Sequence, residues 1–191
     1  MNMTLPPIKP GYLRVTEVLS PFSGLSKIDP MVLQNAADRG ALVHQIIEGI
    51  EQGFGKENVP EHVEGYIQSY ETWADGKDFL PAQKRLCDSN LMITGLVDAI
   101  YREGNDLVLV DYKTPARESK TWELQGSAYS HLCKIIGYNI ARIEFVKLDK
   151  RGKYPEIFRY QENMAMFRKA LDCYRYFFED KSKEELELDY L

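Results

Sequence analysis

Between residues 31 and 52, apolar or small side chains recur three and four positions apart, at Leu33, Ala36, Gly40, Val43, Ile47 and Ile50. That spacing predicts an amphipathic helix. Asp29 is placed to cap it, Pro30 suits its first turn, and Gly53 and Gly55 end it. Val63, Tyr66, Ile67, Tyr70 and Trp73 predict a second helix over residues 60–74. The texture then changes. Residues 84–87, 91–102 and 107–113 are rich in β-branched and apolar side chains and read as strands, with Gly104-Asn105 as the hairpin turn between the last two. Trp122, Gln125, Tyr129, Leu132 and Ile136 return to helical spacing over 121–136. Strands are expected at 140–148 and 154–160, and a final helix over 162–179 carries the stripe Phe167, Leu171, Tyr174 and Phe178. Ahead of all this, residues 12–19 read as a short helix or turn, with Thr16 available as its N-cap. The order predicts an α/β fold: a mixed sheet with helices packed on it. We expect a single domain over residues 1–191, mainly helical over 1–80, with the core sheet and its helices over 81–191 and an acidic, frayed tail at 184–191.

Composition narrows the class. With 191 residues, 44% of them hydrophobic and 28% charged, the chain can bury a real core, which excludes global disorder. No apolar run is long enough to span a bilayer, and the first ten residues carry prolines where a signal peptide would carry an apolar stretch. A cytoplasmic protein without membrane association is therefore expected. The net charge of -5 counts against a protein that coats nucleic acid by charge alone, but leaves room for a local basic groove. Cys87, Cys133 and Cys173 lie far apart and form no CxxC pair, so neither a zinc ribbon nor a cysteine-ligated iron–sulfur cluster is expected within one chain.

Chemistry enters where polar residues interrupt apolar strands. Asp98 breaks Leu96-Val97-Asp98-Ala99-Ile100, and Asp111 follows four apolar residues with Lys113 two positions on. Residues two apart on a strand share a face, so Asp111 and Lys113 point the same way. The Gly104-Asn105 hairpin sets the Asp98 strand beside them. Buried charges are costly unless paired or bound to a metal. Two readings follow: a structural ion pair at a strand end, or a cation site in which two carboxylates offer hard oxygens suited to Mg²⁺.

Gly95-Leu96-Val97-Asp98, a turn, and Asp111-Tyr112-Lys113-Thr114 together resemble the PD-(D/E)XK nuclease signature. Gln125-Gly126-Ser127-Ala128-Tyr129 resembles the Q-x-x-x-Y helix motif of the RecB-like branch. Arg39-Gly40 followed by His44 resembles that branch's early helix with its metal-binding histidine, and Val15-Thr16-Glu17-Val18-Leu19 resembles the N-terminal stretch of phage-type exonucleases. The motifs run in the family's order from residue 15 to 129. The resemblance implies a restriction-endonuclease-like core. It implies Asp98, Asp111, His44 and the main-chain carbonyl of Tyr112 as ligands for one or two Mg²⁺ ions, with Mn²⁺ as a substitute. Lys113 would align the attacking water, and Gln125 and Tyr129 would line the site. Without the resemblance, His44 reads as a core histidine and Tyr129 as a core tyrosine, whereas Gln125 is a polar amide that wants a partner on an apolar face. The family often carries a glutamate before the first strand; Gln83 stands near that place here. Arg117 and Lys120, in the loop after the Asp111 strand, are candidates to hold DNA phosphates, or are a solvated loop.

The implied activity is Mg²⁺-dependent hydrolysis of DNA to 5′-phosphate and 3′-hydroxyl ends, in the form of an exonuclease of recombination, repair or phage DNA processing. A homo-oligomeric ring around DNA, or a recombination or helicase partner, would fit that role. The alternatives are a nuclease-fold DNA-binding or helicase-associated subunit active only in a complex, and a hydrolase of RNA.

Overall fold

The computed structural model describes residues 8, 10–56, 58–81 and 85–179. In chain order the elements are β1 (Leu13–Arg14), α1 (Val15–Leu19), α2 (Pro30–Glu51), α3 (Glu61–Ala74), β2 (Asp78–Phe79), β3 (Leu86–Asp88), β4 (Ile93–Gly95), β5 (Ala99–Glu103), β6 (Asp106–Lys113), α4 (Thr121–Ile135), β7 (Ile140–Lys147), β8 (Glu156–Tyr160) and α5 (Met164–Phe178). Short 3₁₀ turns at Ser20–Phe22 and Leu25–Lys27 lie between α1 and α2. Local chemistry sets the ends of the helices. Asp29 caps α2 by accepting from the N–H groups of Met31 (2.8 Å) and Val32 (3.3 Å), and Asn163 caps α5 by accepting from that of Met166 (3.2 Å).

The strands form two mixed sheets. The central sheet has the order β2-β5-β6-β7-β8 and is antiparallel except for β6 and β7, which run parallel with α4 as their crossover. The smaller sheet has the order β1-β4-β3. Helices cover both faces of the central sheet. Val108, Val110 and Tyr112 of β6 face one core with Val43 and Ile47 of α2 and Val63, Ile67, Tyr70 and Trp73 of α3. Leu109 faces the other core with Trp122, Tyr129 and Leu132 of α4 and Phe167 and Leu171 of α5. Each such side chain contributes roughly 1.5–3 kcal/mol on leaving water. The alternation therefore fixes the register of β6: a one-residue slip would drive Asp111 and Lys113 into the α2–α3 core.

The expected α/β architecture, a mixed sheet flanked by helices with a helical N-terminal section, is present. Four details differ. The single strand expected over 91–102 is two strands in two sheets: Ile93–Gly95 pairs with β1 and β3, and Ala99–Glu103 pairs with β2 and β6. A run of β-branched residues announces extended chain but not which neighbour it pairs with. Strands β1 and β2 have two residues each, too few to show a period. Thr16 lies inside α1, whose cap position is Arg14 with extended backbone (φ -71, ψ 140). The strand expected from 154 begins at Glu156. The tail at 184–191, Gln83 and Lys84 lie outside the described residues. Among the described residues, no helix is long and apolar enough to cross a membrane. The three cysteines are free thiols, with Cys133 buried.

Candidate active site

The candidate residues gather where β6 ends. Ala99 of β5 pairs with Val110, so Asp98, one residue before β5, falls opposite Asp111. The N–H of Tyr112 donates to Asp98 Oδ2 at 2.8 Å, which ties the segment before β5 to the catalytic-candidate strand. His44, on the inner side of α2, places Nδ1 3.1 Å from Asp98 Oδ1. From the other side α4 supplies Gln125. Its Nε2 donates to Asp111 Oδ1 (2.8 Å) and to the Tyr129 hydroxyl (3.3 Å), and its Oε1 accepts from Lys113 Nζ (3.2 Å). Lys113 Nζ also stands 2.5 Å from Asp111 Oδ2 and forms an ion pair with it. Tyr129 reaches the site because β4 offers Gly95: a Cβ there would lie 2.6 Å from the tyrosine ring.

The electrostatics follow from burial. Asp111 is 2% exposed. Burial raises its carboxyl group to about 6, with Asp98 adding to the rise and Lys113 and His44 opposing it. Burial also disfavours the Asp98 carboxylate, but His44, Lys113 and the Tyr112 N–H outweigh it and hold this carboxyl below its ordinary value. For His44, burial pulls the imidazole down, while the Asp98 carboxylate, aided by Asp111, carries it up to about 9. Two acids on adjacent positions thus share one lysine and one histidine.

Those donors fit a hard divalent cation in kind: two buried carboxylates side by side and an imidazole. Among the described residues, however, no three His, Cys, Asp or Glu side chains converge as a ready-made cage. His44 and Lys113 stand against the carboxylates instead.

The remaining candidates are dispersed. Tyr112 meets Asp98 through its N–H, while its ring is buried on the opposite face of the sheet. Arg117 and Lys120 are exposed in the loop before α4, on the rim of a cavity of about 630 Å³ that Phe22, Leu25, Trp122 and Gln125 also line. Trp122 stacks on Phe145 (centroids 5.5 Å apart, planes at 15°) and belongs to the core rather than to a base-stacking platform. Sequence reasoning missed Glu51. It accepts from the hydroxyls of Tyr112 (2.8 Å) and Tyr70 (3.1 Å), and burial raises its carboxyl group against both bonds. The signal was present: Glu51 follows His44 at heptad spacing and lies on the same side of α2.

No family model matches the chain, and no curated protein does. Among solved structures, an alkaline exonuclease, LHK-Exo, from Laribacter hongkongensis aligns over 94% of this chain and 91% of its own, with 10% identity and a TM-score of 0.47. The same exonuclease in complex with dAMP aligns over the same shares with 9% identity and a TM-score of 0.40. A structure designated SSO0001 aligns over 90% of this chain and 79% of its own, with 15% identity and a TM-score of 0.46. At these scores the functional reading rests on the chain's own residues.

Proposed function

We propose that the chain is a Mg²⁺-dependent deoxyribonuclease that degrades DNA from its ends. The observation that carries this reading is the pairing of Asp98 and Asp111 at adjoining buried positions with Lys113 and Gln125 against them. A structural ion pair needs neither the second carboxylate nor a buried amide.

Asp98, Asp111 and His44 are the residues that would hold the ion, with the Tyr112 carbonyl as a further donor. Bound there, Mg²⁺ would polarise a phosphoryl oxygen and lower the pKa of water. The protein's own part is positional. Gln125 bridges Asp111 and Lys113 and so fixes the ammonium over the carboxylate face. From that place Lys113 orients the attacking water and offsets the negative charge that grows on the phosphate. The water oxygen bonds to phosphorus, the bond from phosphorus to the 3′ oxygen breaks, and that oxygen takes a proton, leaving 5′-phosphate and 3′-hydroxyl ends.

The test is digestion of matched linear and covalently closed DNA with Mg²⁺, beside Asp111→Ala and Lys113→Ala. Loss of linear DNA alone, abolished in both variants, is the expected result. Cutting of closed circles would keep the chemistry and remove the end dependence. A wild-type protein that cuts neither with Mg²⁺ nor with Mn²⁺ would overturn the reading.

A further inference from the structure

Beyond the carboxylate site, on the side away from Arg117 and Lys120, a second cavity of about 580 Å³ opens next to Thr114. Its chemistry differs from that of the apolar cavity across the Pro115-Ala116 loop. Arg39, Lys147, Lys150 and Arg151 line it, against the two acids Asp149 and Glu156. Both acids are spent locally. Arg151 Nη2 lies 3.2 Å from Asp149 Oδ2, and Lys147 Nζ lies 2.5 Å from Glu156 Oε2. Among the described residues, Arg39 and Lys150 have no carboxylate within ion-pair distance, so the cavity keeps two uncompensated positive charges.

The cavity is rigidly built. Lys150 and Arg151 sit on the turn between β7 and β8, and that turn is bolted to α3. A Cβ at Gly65 would lie 2.0 Å from the Lys150 carbonyl oxygen, so only glycine lets helix and turn come so close. The Asp149 N–H donates to Ser69 Oγ at 2.9 Å. Arg39 comes from α2 and lies with its Cζ 5.9 Å from the centre of the Tyr66 ring of α3. Its Nε is buried and, among the described residues, has no hydrogen-bond partner. The place is adjacent to the chemistry. Lys147 pairs with Lys113 in register, and the Leu148 N–H donates to the Lys113 carbonyl at 2.8 Å.

We propose that this cavity is a phosphate-binding subsite, in which Arg39 and Lys150 hold the backbone of the DNA strand one or two phosphates from the bond being cut. The assignment rests on the nuclease reading and names residues that it does not use. A guanidinium held on an aromatic face and an ammonium carried by a locked turn offer charge-assisted hydrogen bonds to phosphate oxygens. They contact no base, so the subsite contributes affinity and strand path but no sequence preference.

The experiment measures binding of a fluorescently labelled single-stranded oligonucleotide of about 12 nucleotides. Ca²⁺ replaces Mg²⁺, the salt concentration is varied, and wild type is compared with Arg39→Gln, Lys150→Ala and the double variant. Two phosphate contacts on a single strand account for a slope of about -1.4 in log K against log salt. The double variant is expected to bind about tenfold more weakly at low salt, with a slope shallower by about that amount, and each single variant to lose about half the slope change. In Mg²⁺ digestion, KM should rise by more than kcat falls. Lys150 is exposed, so Lys150→Ala keeps the fold and reads out the subsite even if Arg39→Gln does not fold. A double variant with wild-type affinity and slope, in a protein that digests DNA, would overturn the subsite and leave the nuclease standing. A wild-type protein that neither binds nor digests DNA would overturn both.

Discussion

Two acids are buried side by side in the central sheet, and their surroundings are opposite. Glu144 of β7 is 1% exposed and pairs with Val110, while Asp111 of β6 is 2% exposed and pairs with Phe145. Glu144 is closed. Its Oε1 accepts from Arg142 Nε (2.9 Å) and Arg159 Nε (3.0 Å), and its Oε2 accepts from the Tyr101 hydroxyl (3.1 Å). Two cations answer one carboxylate, and every oxygen has a donor. At Asp111 a second carboxylate stands opposite, and the two acids share one lysine and one histidine, so that burial and Asp98 still hold the Asp111 carboxyl above its ordinary value. Burial alone therefore does not mark a functional acid. What distinguishes the site is the burial of two adjoining carboxylates, whose repulsion costs stability and which an added cation would relieve.

The sharpest way to break this contrast is to neutralise each acid in turn. Asp111→Asn is expected to lower Mg²⁺-dependent DNA digestion about a thousandfold. Glu144→Gln should leave the activity of folded molecules within about a factor of two, because Glu144 lies on the other face of the sheet from the reacting groups. Its cost should appear as stability, about 2 kcal/mol in denaturant unfolding, below the full penalty for a stranded buried charge because Arg159 is 64% exposed. If the two variants exchanged phenotypes, the assignment of roles would be inverted.

The second expectation concerns the added cation. Mg²⁺ at a hundredfold excess over its dissociation constant should raise the unfolding free energy of the wild type by about 2.7 kcal/mol. Asp111→Asn should remove most of that gain. Thermal unfolding with Mg²⁺ and with EDTA reads the difference.

A smaller effect follows from pH in EDTA. His44 is raised to about 9 in the folded protein, above its ordinary 6.5. Its contribution to stability is thus fully present below 6.5 and lost as pH rises through about 9. Asp111, raised to about 6 from 3.8, acts in the same sense at lower pH, its contribution being lost as pH rises through about 6. Unfolding midpoints between pH 5 and 9.5 should therefore decline, and His44→Gln should flatten the upper part of the curve. The smallest effect is expected from Asp111→Asn in EDTA near neutral pH. Burial and Asp98 disfavour the Asp111 carboxylate, so removing its charge should stabilise the protein by about 1 kcal/mol, opposite in sign to Glu144→Gln.

Several parts of the site were legible in the chain because they depend on local rules. The two-residue period places Asp111 and Lys113 on one face, Gly104-Asn105 folds Asp98 back beside them, and helical spacing stacks Gln125 over Tyr129. Other parts were not. Glu51 gains its meaning from Tyr112 and Tyr70, which lie 61 and 19 residues away. Arg39 and Lys150 come to line one cavity only because α3 packs against both Arg39 of α2 and the β7–β8 turn.

The sequence by itself determined the order of helices and strands, the two faces of β6, and the residues that could not be buried without a partner, since periodicity and the cost of burying charge are properties of short segments. The tertiary structure alone decided that residues 91–102 divide between two sheets, and that Glu144 meets two arginines while Asp98 and Asp111 share a lysine and a histidine. It also decided that a cationic cavity opens beside Thr114. Each of those outcomes depends on which distant segments meet, and pairing over long separations leaves no local pattern in the chain.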